Sequence, residues 1–233
     1  MKKLFLSSAL FACLLTAAPV AYVHAGNTED TAALNFGVCG GLNRARIKTE
    51  VTRVEEMSME FLLPKIFGLH GGIWGEYALD NTVGIRLALS YDRKGGNFIM
   101  MMGSDNKKSI IKLNYLVLSP TLRIYPGSSR AFGIFVGPYI GYLHTASLQE
   151  VNDEEQTIDL LSDAPEKEQP KRIDAGITFG LECEHSSGII LGYSMHAVLK
   201  PWMKDEDDQG DTLNTYNTVQ QIYLGYNFAK LLN

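Results

Sequence analysis

Three cysteines in 233 residues leave little material for a disulfide framework. Cys13 lies in the N-terminal apolar run, and alternation puts Cys39 and Cys183 on opposite faces of non-neighbouring strands, so no pair is expected. Basic residues are outnumbered as well. The formal charge of −5, from 21 Lys and Arg against 26 Asp and Glu, argues against a nucleic-acid partner. Beyond residue 23 no stretch reaches eighteen consecutive apolar residues, so no transmembrane helix is expected there. The sequence has no G-x-S-x-G, no H-E-x-x-H and no Gly-rich phosphate loop. An enzyme is therefore not expected, and nothing calls for a cofactor.

What is present begins with a leader. Met1-Lys2-Lys3 precedes an apolar run from Leu4 to Val23, and Val23-His24-Ala25 offers a small-residue cleavage site before Gly26. Residues 1–25 are expected to be a secretory signal peptide. Too few apolar residues precede Cys13 for a lipoprotein signal. Cleavage leaves 208 residues, enough for one domain, and loss of Lys2 and Lys3 moves the charge to −7.

The clearest text is Phe67 to Asp92, two alternating segments around Asp80-Asn81-Thr82. Phe67, Leu69, Ile73, Tyr77 and Leu79 share one face, with His70, Trp74 and Glu76 on the other. On the return, Val83, Ile85, Leu87, Leu89 and Tyr91 oppose Arg86, Ser90 and Asp92. If Leu79 faces Val83, Glu76 lies across from Arg86.

The same period recurs six more times. One apolar set per segment is Leu34, Phe36, Val38 and Leu42; Leu116, Leu118, Leu122 and Ile124; Phe132, Ile134, Val136, Ile140 and Tyr142; Ile173, Ile177, Phe179 and Leu181; Leu191, Tyr193 and Met195; and Ile222, Leu224, Tyr226 and Phe228. The opposite faces carry many glycines together with Arg123, Asp174, Glu182, Glu184 and His196. Ile111 and Leu113 have the wrong parity for the apolar face of their segment. Long loops are expected near 44–66, 93–108, 145–171 and 200–216, alternating with short turns. The run from Leu148 to Pro170 holds eight carboxylates against one lysine and is not expected to join the sheet.

Eight strands, an apolar face with no amphipathic helix to cover it, and a glycine-rich charged face predict an all-β, eight-stranded antiparallel up-and-down transmembrane β-barrel spanning residues 26–233. Lipid covers the outside. Tyr77, Tyr91, Tyr125, Tyr142, Tyr193 and Tyr226 are expected at its interfacial girdles. A soluble periplasmic lipocalin-like binding barrel is the alternative that places ligand, not side chains, in the lumen.

Glu76, Arg86, His70, Asp92, Asp174, Glu182 and His196 are expected to form a polar network in the lumen, because charges in a narrow barrel must pair or meet water. Asp205, Asp207, Asp208 and Asp211 form an acidic loop with the opening of a calcium site, but its twelfth position is Tyr216, so weak cation binding is the most it predicts, for no particular metal. The expected partners are outer-membrane lipid and lipopolysaccharide, with an extracellular protein or cation at the acidic loops. The expected role is a non-enzymatic anchor for those loops; a small pore or secretion-accessory channel is the alternative.

The segments FGVCGGLNRA, GLHGGIWGEYALDNTVGIRLALSYDRKGG, YLVLSPTLRIYP, FGIFVGPYIGYL, IDAGITFGLECE and IYLGYNF resemble, in order, the Bacteroidota outer-membrane β-barrel family typified by PorT. The resemblance covers most of the mature chain and implies a small OmpA- or OmpX-type barrel. It implies no secretion role, since no diagnostic motif is present, and the large acidic loops depart from the pattern.

Overall fold

Strict alternation over a dozen residues suits a strand whose two faces meet different media. In the computed structural model, which describes residues 34–52, 58–62, 66–102, 105–126, 130–151, 156–162, 170–199, 203–206 and 212–232, eight long strands follow from it. They are β1 Leu34–Thr52, β2 Ile66–Ala78, β3 Val83–Met102, β4 Asp105–Ile124, β5 Phe132–Val151, β6 Ile173–Glu184, β7 Ile189–Val198 and β8 Thr212–Asn227. Each pairs antiparallel with its sequence neighbour. β8 returns to β1, from Gly37 opposite Asn227 to Thr52 opposite Thr212, and the sheet closes into an eight-stranded barrel with no free edge in the wall. The leader expected over residues 1–25 lies outside the described residues.

The two faces separate as the pattern requires. Leu87, Ile134 and Leu224 are 50%, 46% and 61% exposed, whereas Glu76, Arg123 and Asp174 are almost fully buried. An apolar exterior around a charged interior is the inverse of a water-soluble barrel, and lipid is the medium that satisfies it. The β2–β3 and β6–β7 turns are tight and lie at the end of the barrel where β1 begins and β8 stops. In the β2–β3 turn the Asp80 carboxylate accepts from the Thr82 hydroxyl at 2.7 Å and from the Thr82 and Val83 N–H groups at 2.6 and 2.7 Å. These bonds, the Thr82 hydroxyl foremost, hold that carboxyl below its ordinary range.

Strands run further than the alternation indicates at the other end. The expected loop at 93–108 is a continuous β3–β4 hairpin in which Arg93 pairs with Asn114 and Met102 with Asp105. Residues 44–52 extend β1, and a short strand Ser58–Leu62 folds back on them. Part of the acidic run does join the sheet, against expectation: Leu148, Gln149 and Glu150 pair with Ile158, Thr157 and Gln156 of the short strand Gln156–Asp159. Met203–Glu206 pairs likewise with the start of β8. Beyond the bilayer both faces of a strand meet water, so nothing imposes alternation and the pattern that marks the wall disappears.

Two further differences have local causes. Leu113 is fully buried and points inward, so its parity is correct, and an apolar side chain simply lies inside the barrel. The register shift sits opposite, on β5: Asn114 pairs with Thr145 but Tyr115 with Leu143, leaving His144 as the extra residue of a bulge. Tyr125 is 5% exposed and faces inward, so it is not a girdle residue; Tyr77, Tyr91 and Tyr142 are exposed on the outer face.

Candidate functional site in the lumen

The inward glycines explain how a narrow lumen holds large rings. Trp74, Phe135, Tyr139 and Tyr223 have Gly37, Gly180, Gly176 and Gly192 as register partners on the adjoining strands. A Cβ at those glycines would lie 2.4, 2.5, 2.7 and 2.2 Å from the facing ring. Each aromatic therefore packs against bare backbone, and Trp74, Phe135 and Tyr139 each face a cation.

Against Trp74 and Phe135 sits the lower charge cluster. Glu76 and Arg86 are register partners of the β2–β3 hairpin. Arg86 donates through Nε to Glu76 Oε2 at 2.9 Å, places Nη2 2.8 Å from the same oxygen, and reaches Glu182 on β6 through Nη1 at 3.0 and 3.1 Å. Its guanidinium lies 3.8 Å above the Trp74 ring. Arg123 from β4 bonds Glu182, stands 3.2 Å from Glu76 Oε2 and covers Phe135. Tyr125 donates to Glu76 and Tyr223 to Glu182, each at 2.6 Å. Two glutamates thus meet two arginines from strands on opposite walls. A planar guanidinium suits this arrangement because its fork serves two carboxylates at once.

Arg130 closes the cluster from the turn side by bonding Glu76. Its φ of 52° is unusual for a residue with a side chain. Below it lies an open cavity of about 390 Å³ bordered by Asn35, Glu76, Arg130, Glu184 and Lys230.

The upper cluster is built around a lysine. Lys94 Nζ donates to Asp174 Oδ2 at 2.6 Å and lies 4.8 Å from the centres of both the Tyr115 and Tyr139 rings. Leu113, Val117, Leu143 and Ala146 pack with those two tyrosines into an apolar layer across this end of the lumen. Between the two clusters, His70 Nδ1 stands 2.6 Å from Asp92 Oδ1 and 3.3 Å from Gln221 Nε2, with Ser194 donating to Gln221. His196 Nδ1 is 3.8 Å from Asp92 Oδ2, and its ring stacks on Tyr139.

The seven lumen residues singled out from the sequence therefore occupy three levels: Glu76, Arg86 and Glu182 in the lower cluster, Asp174 in the upper, and His70, Asp92 and His196 between them. Four partners were missed or left out of that set. The alternation places Arg123 inward but outside the network, puts Tyr125 at a girdle and Lys94 in the 93–108 loop, and says nothing of Arg130. Extending the Arg86–Ser90–Asp92 parity by one more step finds Lys94. Asp205 lies in the short strand Met203–Glu206, while Asp207, Asp208 and Asp211 fall outside the described residues. Among the described residues no group of three His, Cys, Asp or Glu side chains is arranged to hold a metal ion.

A family model described as the outer membrane protein beta-barrel domain matches residues 25–197. The chain belongs to that family. This outer-membrane barrel therefore resides in the bacterial outer membrane, which is the lipid its apolar belt requires. No curated protein sequence matches it. Among solved structures, Escherichia coli outer membrane protein W is similar, at 14% identity and a TM-score of 0.43, covering 85% of this chain and 99% of that one. Neisserial surface protein A aligns at 11% identity and a TM-score of 0.39, covering 83% and 98%. The Ail attachment invasion locus protein of Yersinia pestis aligns at 10% identity and a TM-score of 0.34, covering 82% and 99%.

Proposed function

We propose that this outer-membrane barrel is a non-enzymatic anchor that displays its long acidic hairpins at the cell surface, within the PorT-like branch that its ordered strand segments resemble. The observation that carries the reading is the pair of cross-lumen ion clusters, Arg86 with Glu182 and Lys94 with Asp174, each joining strands from different parts of the wall. A lumen filled this way supplies rigidity and leaves the hairpins as the variable, solvent-facing part.

Lipopolysaccharide is the natural neighbour of the hairpin bases. Arg44, Arg93, Lys112 and Arg172, on or next to β1, β3, β4 and β6, lie just beyond the apolar belt and outside the lumen. They present positive charge at the height of the lipid headgroups. The acidic runs 148–170 and 205–211 would take a cation or a basic protein surface.

Planar-bilayer recording tests the reading. The intact barrel should give no steady unitary openings, and stable openings would overturn the anchor in favour of a pore. Deleting residues 148–170 should leave the heat-dependent electrophoretic shift of a closed barrel unchanged; its loss would show the hairpin to be part of the scaffold.

A further inference from the structure

The level between the two ion clusters contains an arrangement that neither uses. Cys39 on β1, His70 on β2 and Asp92 on β3 point inward from three consecutive strands of the wall. His70 and Asp92 are register partners, and Cys39 lies beside them, opposite Gly72. Cys39 Sγ is 3.6 Å from His70 Nε2, and His70 Nδ1 is 2.6 Å from Asp92 Oδ1. A carboxylate at Nδ1 keeps the proton on that nitrogen, which leaves the Nε2 lone pair facing the thiol. On its other side Cys39 faces Gly225, whose missing Cβ would fall 3.5 Å from the Cys39 Cβ. The sulfur therefore has space around it.

That space belongs to a cavity of about 70 Å³ bordered by Cys39, His70, Ser194, His196 and Tyr223. Room for one water needs roughly 10–15 Å³ on this measure, so the cavity takes a few waters or a guest of similar size. His196 is 4% exposed and borders the same cavity; its Nδ1 and the Asp92 Oδ2 that it faces at 3.8 Å both lack a hydrogen-bond partner. Two buried polar atoms left unpaired and facing each other point to a small hydrogen-bonding guest. The ion clusters lie above and below it.

We propose that Cys39 is a peroxide-reactive thiol, with His70 as its base and Asp92 as the positioning residue, and that its substrate is hydrogen peroxide. His70 Nε2 takes the thiol proton, and the Cys39 thiolate attacks one peroxide oxygen. The S–O bond forms as the O–O bond breaks, and the departing hydroxide recovers the proton from His70 and leaves as water. Cys39 is oxidised to the sulfenic acid and the peroxide is reduced. His196 supplies a hydrogen-bonding nitrogen to the peroxide in the cavity.

The chain carries its own control, because Cys183 is exposed on the lipid face of β6. The folded full-length barrel in detergent is treated with hydrogen peroxide, quenched, unfolded and alkylated, and both cysteines are quantified by peptide mass spectrometry. Cys39 should lose its alkylatable thiol at least roughly tenfold faster than Cys183, with a 16-Da adduct, a fraction of the usual gain from a positioned base. His70→Gln should bring Cys39 down to the Cys183 rate while keeping the heat-dependent shift; if that variant fails to fold, Asp92→Asn replaces it. Equal rates in the parent barrel would overturn the assignment. So would a Cys39 advantage that survives His70→Gln, or one that persists in the urea-unfolded chain.

Discussion

Glu182 on β6 accepts hydrogen bonds from Arg86 on β3 across the width of the lumen, at 3.0 and 3.1 Å. The same carboxylate also serves Arg123 and Tyr223. Both charges are more than nine-tenths buried, so water screens them little. Glu182→Ala leaves Arg86 and Arg123 to share Glu76 with Arg130 and should cost about 3–5 kcal/mol, the usual penalty for stranding a buried charge. Urea unfolding in lipid vesicles measures it. A loss under about 1 kcal/mol would mean that Glu76 alone satisfies both arginines.

Gly192 carries a second prediction. A methyl group there would meet the Tyr223 ring at 2.2 Å, and a ring cannot bend aside as a flexible chain would. Gly192→Ala should push Tyr223 away from Glu182 and cost about 1–3 kcal/mol by overpacking. In a Tyr223→Ala background the same substitution should cost almost nothing, and a double-mutant cycle isolates the coupling. Additive costs would show that the glycine serves the backbone and not the ring.

How much of this was legible in the sequence follows from where water and lipid meet. Within the bilayer each strand has one apolar and one polar face, so the alternation of Phe132, Ile134 and Val136 or of Asp174, Thr178 and Glu182 fixes both the strand and its facing. Register followed too, as Glu76 and Arg86 show. At the end away from the tight turns the inner layer turns apolar, with Leu113 and Leu143 inside, and the outer face turns basic. There the rule inverts, the β3–β4 hairpin resembles a loop, and Lys94 is lost with it. Tyr125 was misplaced for a different reason. Its place near a strand end suggests a girdle, but the inward parity of Thr121 and Arg123 continues to it, and its phenol donates to Glu76.

Asp80 sets an acid-dependent contribution at the turn end. Its carboxyl is held below its ordinary value of 3.8 by the Thr82 hydroxyl and by the Thr82 and Val83 N–H groups. A group with a depressed folded-state value stabilises above the unfolded value and loses that contribution as pH falls through the folded one. Asp80→Ala should therefore lower the thermal unfolding temperature at pH 7, and the gap from the parent should shrink as pH falls below about 4. A gap that stays constant to pH 2 would assign the effect to turn shape and not to charge.

Depth in the membrane gives the last prediction. Leu87 lies midway along the apolar outer stretch of β3 from Val83 to Tyr91, and Leu79 sits on the same apolar side at the tight turn. Both are 50% exposed, so exposure does not separate them. Lipid depth does: an arginine costs roughly 2–4 kcal/mol at the midplane and about 0–1 kcal/mol near an interface. Leu87→Arg should fall in the first range and Leu79→Arg in the second, measured by folding equilibria in lipid vesicles. In detergent micelles, which deform around a charge, the difference should narrow. Equal costs in vesicles would place the bilayer at a different height on the barrel, and with it the boundary at which Arg44, Arg93 and Lys112 meet the headgroups.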